Sequence, residues 1–532
     1  MIQKLFFYCL ITLYTTAVFG QKAKQYGLQS PTEVMQVVRQ DKKRLLDEDE
    51  NQSKGRLRCA VLLPINREFP GDIIPETVAD GKIWRLKIEA DDAEAINLFI
   101  KDFRLPKGTE LSFYSPDFEQ KLPIVLPEEN FENGIFVTDH LQGSSMIVEL
   151  FARKETEVGS SFVIEDVGYM YRPLPQWLKG SRAFGDSGNC QVNVNCPEGG
   201  DWQSEKKGVA RILLVAAGSY YYCSGSLINN ARYDKTPYFL TASHCAIGTT
   251  KEEFKKWKFY FNYEAPSCPN PEKDPAGGSF QTTGAEKIAE GAYDEWESSD
   301  FLLLKLLDSV RVSSNPDLVY NGWNISTTPA TSGVGIHHPQ GDIKKISTYT
   351  KPLQNVGGTE THWSLQWAKT STNHGVTEPG SSGSPIFDQN KYIVGTLTSG
   401  DATCETPLGH DFYGKMSYHW NKNGNNPVEQ LKPWLDPDNK GITKLQGTGG
   451  PSYIWWPSAP DTTLSIRLGR EDYPEIKVYN IAGRLVMQKK INKEEVDETN
   501  LFLIDISTFS AGVYIIVLDG KNGRKTQKII KR

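Results

Sequence analysis

Six of the eight cysteines, Cys190, Cys196, Cys223, Cys245, Cys268 and Cys404, fall within one central stretch of a 532-residue chain. If they pair, that stretch must fold so that residues far apart in sequence touch. Pairing requires an oxidising compartment, because disulfides rarely persist in the cytosol. The N-terminus supplies the address. Lys4 precedes an apolar run from Leu5 to Phe19, and Val18 and Gly20 are small residues at the third and first places before a cut after Gly20. The run is shorter than the roughly 20 apolar residues of a spanning helix, so residues 1–20 read as a secretory signal. Six cysteines in an exported chain suggest three bridges, and spacing alone leaves 15 pairings open. No Cys-x-x-Cys or paired-His spacing supports a metal site. Cys9 leaves with the signal, and Cys59 reads as a small buried apolar residue.

The length suits two to four domains, and 38 % hydrophobic with 23 % charged residues is ordinary globular composition. A net charge of −6 gives no broad basic field, so no nucleic-acid partner is expected. No stretch after the signal is apolar enough for an integral membrane segment. Residues 21–179 read, after a polar helical start, as a β-rich segment. There Trp84, Leu86 and Ile88 alternate with Arg85, Lys87 and Glu89, and Met146, Val148 and Leu150 form another alternating run. Residues 180–440 hold the bridging cysteines and end in a predicted helix near Val428 to Leu435. Gly447, Gly449, Gly450, Pro451, Pro457 and Pro460 mark a linker over 441–460. Residues 461–532 alternate again, as a small β-sandwich.

Three motifs of the central segment carry chemistry. In Tyr238-Phe-Leu-Thr-Ala-Ser-His244-Cys245 an apolar strand ends on a histidine, which a bridge at Cys245 could hold still as a general base. In Ser298-Ser299-Asp300-Phe301-Leu-Leu-Leu304 a carboxylate opens a very apolar strand, where burial obliges it to find a strong donor such as an imidazole N–H. In Thr377-Glu-Pro-Gly380-Ser381-Ser382-Gly383-Ser-Pro385, glycines around a serine permit a sharp turn. That turn can present the Ser382 hydroxyl while the N–H groups of Gly380 and Ser382 converge on the oxygen of a tetrahedral intermediate. The order His, Asp, Ser is that of the chymotrypsin-like triad, not of subtilisins or α/β-hydrolases.

Residues from about 185 to 437 resemble the lysyl endopeptidases, a bacterial branch of the chymotrypsin-like double β-barrel proteases. The resemblance rests on Ser187-Gly-Asn-Cys190, Asn195-Cys196-Pro-Glu-Gly199, Cys223-Ser-Gly-Ser-Leu227, the three motifs above, Ile336-His-His-Pro339 and Trp434-Leu-Asp-Pro437. It implies His244 as general base, Asp300 as its orienting carboxylate, Ser382 as nucleophile and Gly380 with Ser382 as oxyanion hole. It further implies the bridges Cys190 to Cys404, Cys196 to Cys268 and Cys223 to Cys245. Asp411 falls at the place of the family's pocket carboxylate, and Trp367 matches an aromatic beside that pocket. Thr398 departs from the pattern, standing where the family carries a histidine. The expected substrates are therefore proteins with Lys, and Arg tolerated, before the scissile bond. Ser381 occupies the place where trypsin-like zymogens carry an aspartate that pairs with a new N-terminus, so activation should not use that pair. The β-rich segment reads as a pro-region, released by cleavage between Lys179 and Gly180 or after Arg182. Adjacent His337 and His338 point to opposite faces of a strand, which disfavours a shared metal. His374 could border the cleft.

The tail resembles the C-terminal sorting domains of type IX secretion, through Ile476-Lys-Val-Tyr-Asn-Ile-Ala-Gly483, Ile504-Asp-Ile-Ser507, Ser510-Ala-Gly-Val-Tyr514 and Lys528-Ile-Ile-Lys-Arg532. The resemblance implies the type IX machinery as partner and release from, or display on, a bacterial outer membrane. The competing assignment is an immunoglobulin-like accessory or carbohydrate-binding module, and for sugar binding Trp455 and Trp456 are the suitable surface, although they fall in the linker. The expectation is an all-β exported serine endopeptidase with no cofactor and no need of an oligomer. The alternatives are a protease of the same fold with other specificity and a catalytically silent surface binding protein. A hydrolase of nonpeptide acyl groups would have no use for an acidic pocket.

Overall fold

The structure is a computed structural model. It describes residues 21–50, 58–127, 133–159, 162–172, 185 and 187–448 apart from 273, 276–278, 295 and 357–358. In the tail it describes 453–455, 463–468, 475–492, 495, 501–520 and 523–531. The signal segment 1–20 and the cleavage candidates Lys179, Gly180 and Arg182 lie outside the described residues.

The two alternating runs of the N-terminal segment are neighbours. Strand Gly81–Glu89 pairs antiparallel with Ser145–Arg153, placing Trp84 opposite Leu150, Leu86 opposite Val148 and Ile88 opposite Met146. A two-residue period puts these side chains on one face, where they bury together. The other face is not simply wet. Arg85 is only 4 % exposed, and its guanidinium meets Glu76 at 2.6 and 2.9 Å.

A second sheet crosses the boundary that the sequence suggested at 179. Strands Arg58–Phe69, Phe162–Met170 and Ala95–Lys101 continue the sheet formed by Val209–Ala216, Ser219–Leu227 and Lys258–Phe261. The join is antiparallel pairing of Val61 with Ser219 and Ala60 with Tyr220. Cys59, Phe99 and Val137 share one apolar cluster with Leu213, Tyr222 and Phe259, and the Cys59 thiol is free and buried.

The central segment has two β-halves. Tyr238–Thr241 pairs with Phe301–Leu306 in the first. Lys345–Tyr349, Gly333–His337, Pro385–Asp388, Ile393–Gly400, Asp411–Lys415 and His362–Leu365 lie side by side in the second. Leu240 and Phe301 of one half pack with Ile336, Phe387 and Ile393 of the other. The fold is mostly β, with two packed β-halves at its centre. Disulfides join Cys190 to Cys404, Cys196 to Cys268 and Cys223 to Cys245.

Two expectations need correction. In place of one helix near Val428 to Leu435 there are a 3-10 turn, Pro427–Glu429, and a short helix, Lys432–Leu435, separated by extended Gln430. Pro427 and Pro433 each sit in the first turn of their piece, where a missing N–H is harmless, so two short starts replace one helix. The stretch 441–460 is not wholly linker. Lys444–Leu445 pairs with Trp323–Asn324 of the central sheet, and Leu445 is buried there. Tyr453–Trp455 is a strand paired with Thr463–Arg467, while Trp456 lies outside the described residues. Beyond it, two tail sheets bury Leu464, Ile466, Ile504, Val478 and Ile516 between them, which makes a sandwich with its own core.

Candidate active site

The strand Tyr238–Thr241 stops at a 3-10 turn, Ser243–Ala246, that carries His244 beside the bridged Cys245. Asp300 closes the gap from the neighbouring strand. Its Oδ2 meets His244 Nδ1 at 2.7 Å, and its Oδ1 accepts the His244 backbone N–H at 2.8 Å. Asp300 has φ of 55°, a left-handed conformation that an aspartate tolerates better than most residues. Both side chains are buried, Asp300 at 1 % exposure and His244 at 7 %. Before Asp300, the Ser299 hydroxyl contacts His419 Nδ1 at 2.7 Å and the Asn423 side chain, which fixes the turn from outside the motif.

The serine motif folds against the residues just before His244. Ser382 O accepts from Ser224 N at 2.8 Å, and Gly383 N donates to Leu397 O at 2.8 Å. At Gly383, φ is 77° and a Cβ would lie 2.1 Å from Thr241 Oγ1 and 2.6 Å from Ala242 N, two residues short of His244. Glycine is required there for the turn and for the approach. Gly380 also has positive φ, 94°. Among the described residues neither Gly380 N–H nor Ser382 N–H donates within the protein. Among the described residues no hydrogen bond joins His244 to Ser382.

Asp411 opens the strand Asp411–Lys415, opposite Leu365 and Gly400. Its Oδ2 accepts from Trp367 Nε1 at 2.5 Å and Thr377 Oγ1 at 2.6 Å. Its Oδ1 is buried and accepts nothing among the described residues. Burial pushes this carboxyl up to about 6, against the pull of Thr377 and Trp367. Gly400, exposed at the surface, lies beside Oδ1: a Cβ there would fall 1.8 Å from it, so only glycine fits.

Thr398, where the resemblance has a histidine, bonds through Oγ1 to His362 Nε2 at 3.0 Å. Burial lowers His362 to about 4, so it is neutral near pH 7. Trp296 packs edge-on to His362, and Tyr293 edge-on to His244. Tyr293, Trp296 and His362, together with Asp300, Thr398 and Ser399, line a cavity of about 320 Å³. His337 and His338 face apart. His337 lies between the hydroxyls of Ser381 and Ser347 at 2.8 and 2.9 Å, whereas His338 Nδ1 faces Asp342 O at 2.9 Å. No metal-holding cluster of His, Cys, Asp and Glu occurs among the described residues. His374 is half-buried, with Nδ1 3.4 Å from Gly375 O. Motif reading missed Thr377 as a pocket ligand, although it stands five residues before Ser382. It also missed His362, Trp296 and Tyr293, whose sequence surroundings give no signal.

Residues 184–414 match the family described as lysyl endopeptidase, C-terminal domain. Over those residues the central segment is similar to lysyl endopeptidase C-terminal domains. A lysyl endopeptidase of Pseudomonas aeruginosa is 27 % identical over 298 residues, which are 52 % of this chain and 60 % of that protein. The chain thus spans less than two thirds of that relative's length. Solved structures similar to it include the thermostable serine protease AL20 of an extremophilic microorganism, with 12 % identity and a TM-score of 0.30. The likeness covers 42 % of this chain and 98 % of that one. A Glu endopeptidase has 18 % identity and a TM-score of 0.26 over 44 % and 94 % of the two chains. Beyond that segment, residues 456–532 match the secretion system C-terminal sorting domain, which directs a chain to the outside of the cell or its outer surface. No helix among the described residues is long and apolar enough to cross a membrane.

Proposed function

We propose that this chain is an exported serine endopeptidase that cuts after lysine and tolerates arginine. The observation that carries the reading is the junction of three distant segments: His244 held at both backbone and ring by Asp300, with the Ser382 turn packed against the residues before His244. In this reading the Ser382 hydroxyl attacks the carbonyl carbon and gives its proton to His244 Nε2. Asp300 stabilises the resulting imidazolium, and the N–H groups of Gly380 and Ser382 receive the oxyanion. The proton then passes to the leaving amine, and water repeats the sequence on the acyl-enzyme. No metal or organic cofactor enters any of these steps.

Lysine preference is supported by the unpaired Oδ1 of Asp411 behind Gly400. Leu397 holds Gly383, and Gly400 lies three residues further along the same strand, or about 10 Å. A long cationic side chain suits that span. Substrates without a charge would leave a buried carboxylate unpaired, at a cost of about 3 kcal/mol or more.

The N-terminal segment is proposed to assist folding rather than to block the site. Among the described residues, its side-chain hydrogen bonds to the central segment reach Tyr220, Lys256, Lys258, Gln281 and Thr283, its backbone pairs at Gly218–Tyr221, and none of these ends on His244, Asp300 or Ser382. Cleavage after Lys179 or Arg182 would divide the two, and the N-terminus of the mature enzyme identifies the bond.

The deciding experiment is digestion of a denatured protein by the purified enzyme and by its Ser382→Ala form, with cut sites mapped by mass spectrometry. Cuts at Lys-x and Arg-x bonds that fall about a million-fold in the variant are expected. Cuts elsewhere would remove Asp411 as selector, and no cuts by processed enzyme would turn the reading towards a binding protein.

A further inference from the structure

An oxyanion hole needs two peptide N–H groups aimed at one point, and a trans peptide points its carbonyl the opposite way from its N–H. Each relevant carbonyl is anchored. Ser381 O accepts from Ser384 N at 3.0 Å, which turns the Ser382 N–H outward, and Pro379 O accepts from Gln340 N at 2.6 Å, which does the same for Gly380. The second anchor comes from outside the serine motif. Gln340 sits in the turn Pro339–Gly341 with φ of 54°, and that turn fits so closely that a Cβ on Gly380 would meet Gly341 N at 2.9 Å and His338 O at 3.0 Å.

The turn is in turn held from both sides. Arg211, fully buried against Tyr260 and Tyr263, donates through Nη1 to Gly341 O at 2.8 Å. Ser224 Oγ accepts from His338 N and donates to Gly380 O at 2.9 Å. Asp342, with no exposed surface, closes the turn. Its Oδ1 accepts from Gly185 N at 2.6 Å and Ile343 N at 2.7 Å, its Oδ2 accepts from the Ser187 hydroxyl, and Lys345 Nζ lies 3.5 Å away. The same strap reaches the serine motif directly, since Gly188 N donates to the Glu378 carboxylate at 3.1 and 3.2 Å. Cys190, two residues on, is bridged to Cys404.

We propose that Asp342 is a positioning residue for the reaction: by docking Gly185 and Ser187 against the turn 339–341, it holds the Pro379–Gly380 peptide with its N–H in the oxyanion hole. The inference rests on the serine endopeptidase reading. It assigns to a buried carboxylate and two uncharged donors the task that Ser381, lacking a carboxylate, cannot perform. The docking uses the Gly185 amide and the Ser187 hydroxyl rather than a terminal ammonium. Mature forms starting at different residues before Gly185 should therefore be equally active.

The test compares wild type, Asp342→Asn and Ser187→Ala, each expressed from the full chain and purified after processing. The probes are a lysyl amide reporter, a peptide ending in lysine aldehyde and the same peptide ending in lysinamide. Loss of one aligned oxyanion donor costs 100- to 1000-fold in related chemistry, so a partial misalignment should lower kcat by about tenfold or more with KM little changed. The aldehyde, whose adduct carries the oxyanion, should weaken by the same factor, and the lysinamide should not. Unchanged kcat and aldehyde affinity in both folded variants would overturn the proposal. So would equal losses for aldehyde and lysinamide, which would indicate general disruption. If Asp342→Asn fails to fold, Ser187→Ala decides alone. Wild type inert to every reporter would instead remove the endopeptidase reading, and this one with it.

Discussion

At the residue scale, Asp411 is the group whose chemistry is most exposed to test. Its carboxyl is pushed up to about 6 by burial, so the free enzyme loses the pocket charge as pH falls through that value. Rate alone would confound this with titration of the triad. The ratio of kcat/KM for a lysyl reporter over one with an uncharged isostere cancels the triad, and it should fall towards unity between about pH 8 and pH 5 with a midpoint near 6. Asp411→Asn should lack both the preference and its pH dependence. The same group links pH to stability with the unusual sign for a carboxylate. Because the folded state holds the proton more tightly than the unfolded chain, the ionised form is penalised above pH 6 and the penalty disappears below about pH 4. Asp411→Asn in a Ser382→Ala background should therefore be more stable than its parent at pH 8, by up to about 3 kcal/mol, and no more stable at pH 4. Chemical denaturation at the two pH values would measure it. Asp300→Asn should cost about 10⁴ in kcat by allowing the wrong imidazole tautomer, and a loss below tenfold would take Asp300 out of its proposed role. The sequence marked His244 and Asp300 as candidates because one follows an apolar strand and the other precedes one. Asp342 and His362 were not, because nothing local distinguishes them. Asp342 acquires its role from Gly185 and Ser187, more than 150 residues earlier, and His362 from Thr398.

At the scale of elements, alternation was readable wherever one strand face is buried, and the runs around Trp84 and Val148 face each other residue for residue. The continuation of the N-terminal segment into the protease sheet was not readable. A strand edge carries no code for which other edge will pair with it, and Arg58–Phe69 meets Ser219–Leu227 through backbone groups over only a few residues. That join makes a prediction. Without residues 21–172, the backbone of Ser219–Tyr221 is an open edge, and the apolar cluster that holds Leu213, Tyr222 and Phe259 loses Phe99 and Val137. An open apolar edge pairs with other chains. A chain beginning at 180 should refold to active enzyme in much lower yield, with aggregation, and separately produced 21–172 added in trans should restore the yield. Active-site titration of the refolded material reads the outcome, and equal yields with and without the segment would overturn the folding role.

At the scale of the whole molecule, the buried clusters divide unevenly. The N-terminal and central segments share one, whereas the tail buries Leu464, Ile504 and Ile516 only among its own residues. The narrowing of the linker follows the same logic, since Leu445 belongs to the central core and the strand from Tyr453 pairs only with the tail. A unit with its own core can be removed without exposing its neighbour's. Truncation after residue 448 should leave kcat/KM on a lysyl reporter within about twofold, because no residue of the candidate site lies beyond that point. Export should behave oppositely. The sorting domain match covers 456–532, so in a host with the corresponding secretion system the truncated chain should keep its bridges and activity but stay within the outer membrane. Activity measured in medium, on intact cells and after lysis separates the two effects. A truncated chain found outside at the full-length level would show that the tail is not the address, and one that is retained but inactive would show that the central segment depends on it.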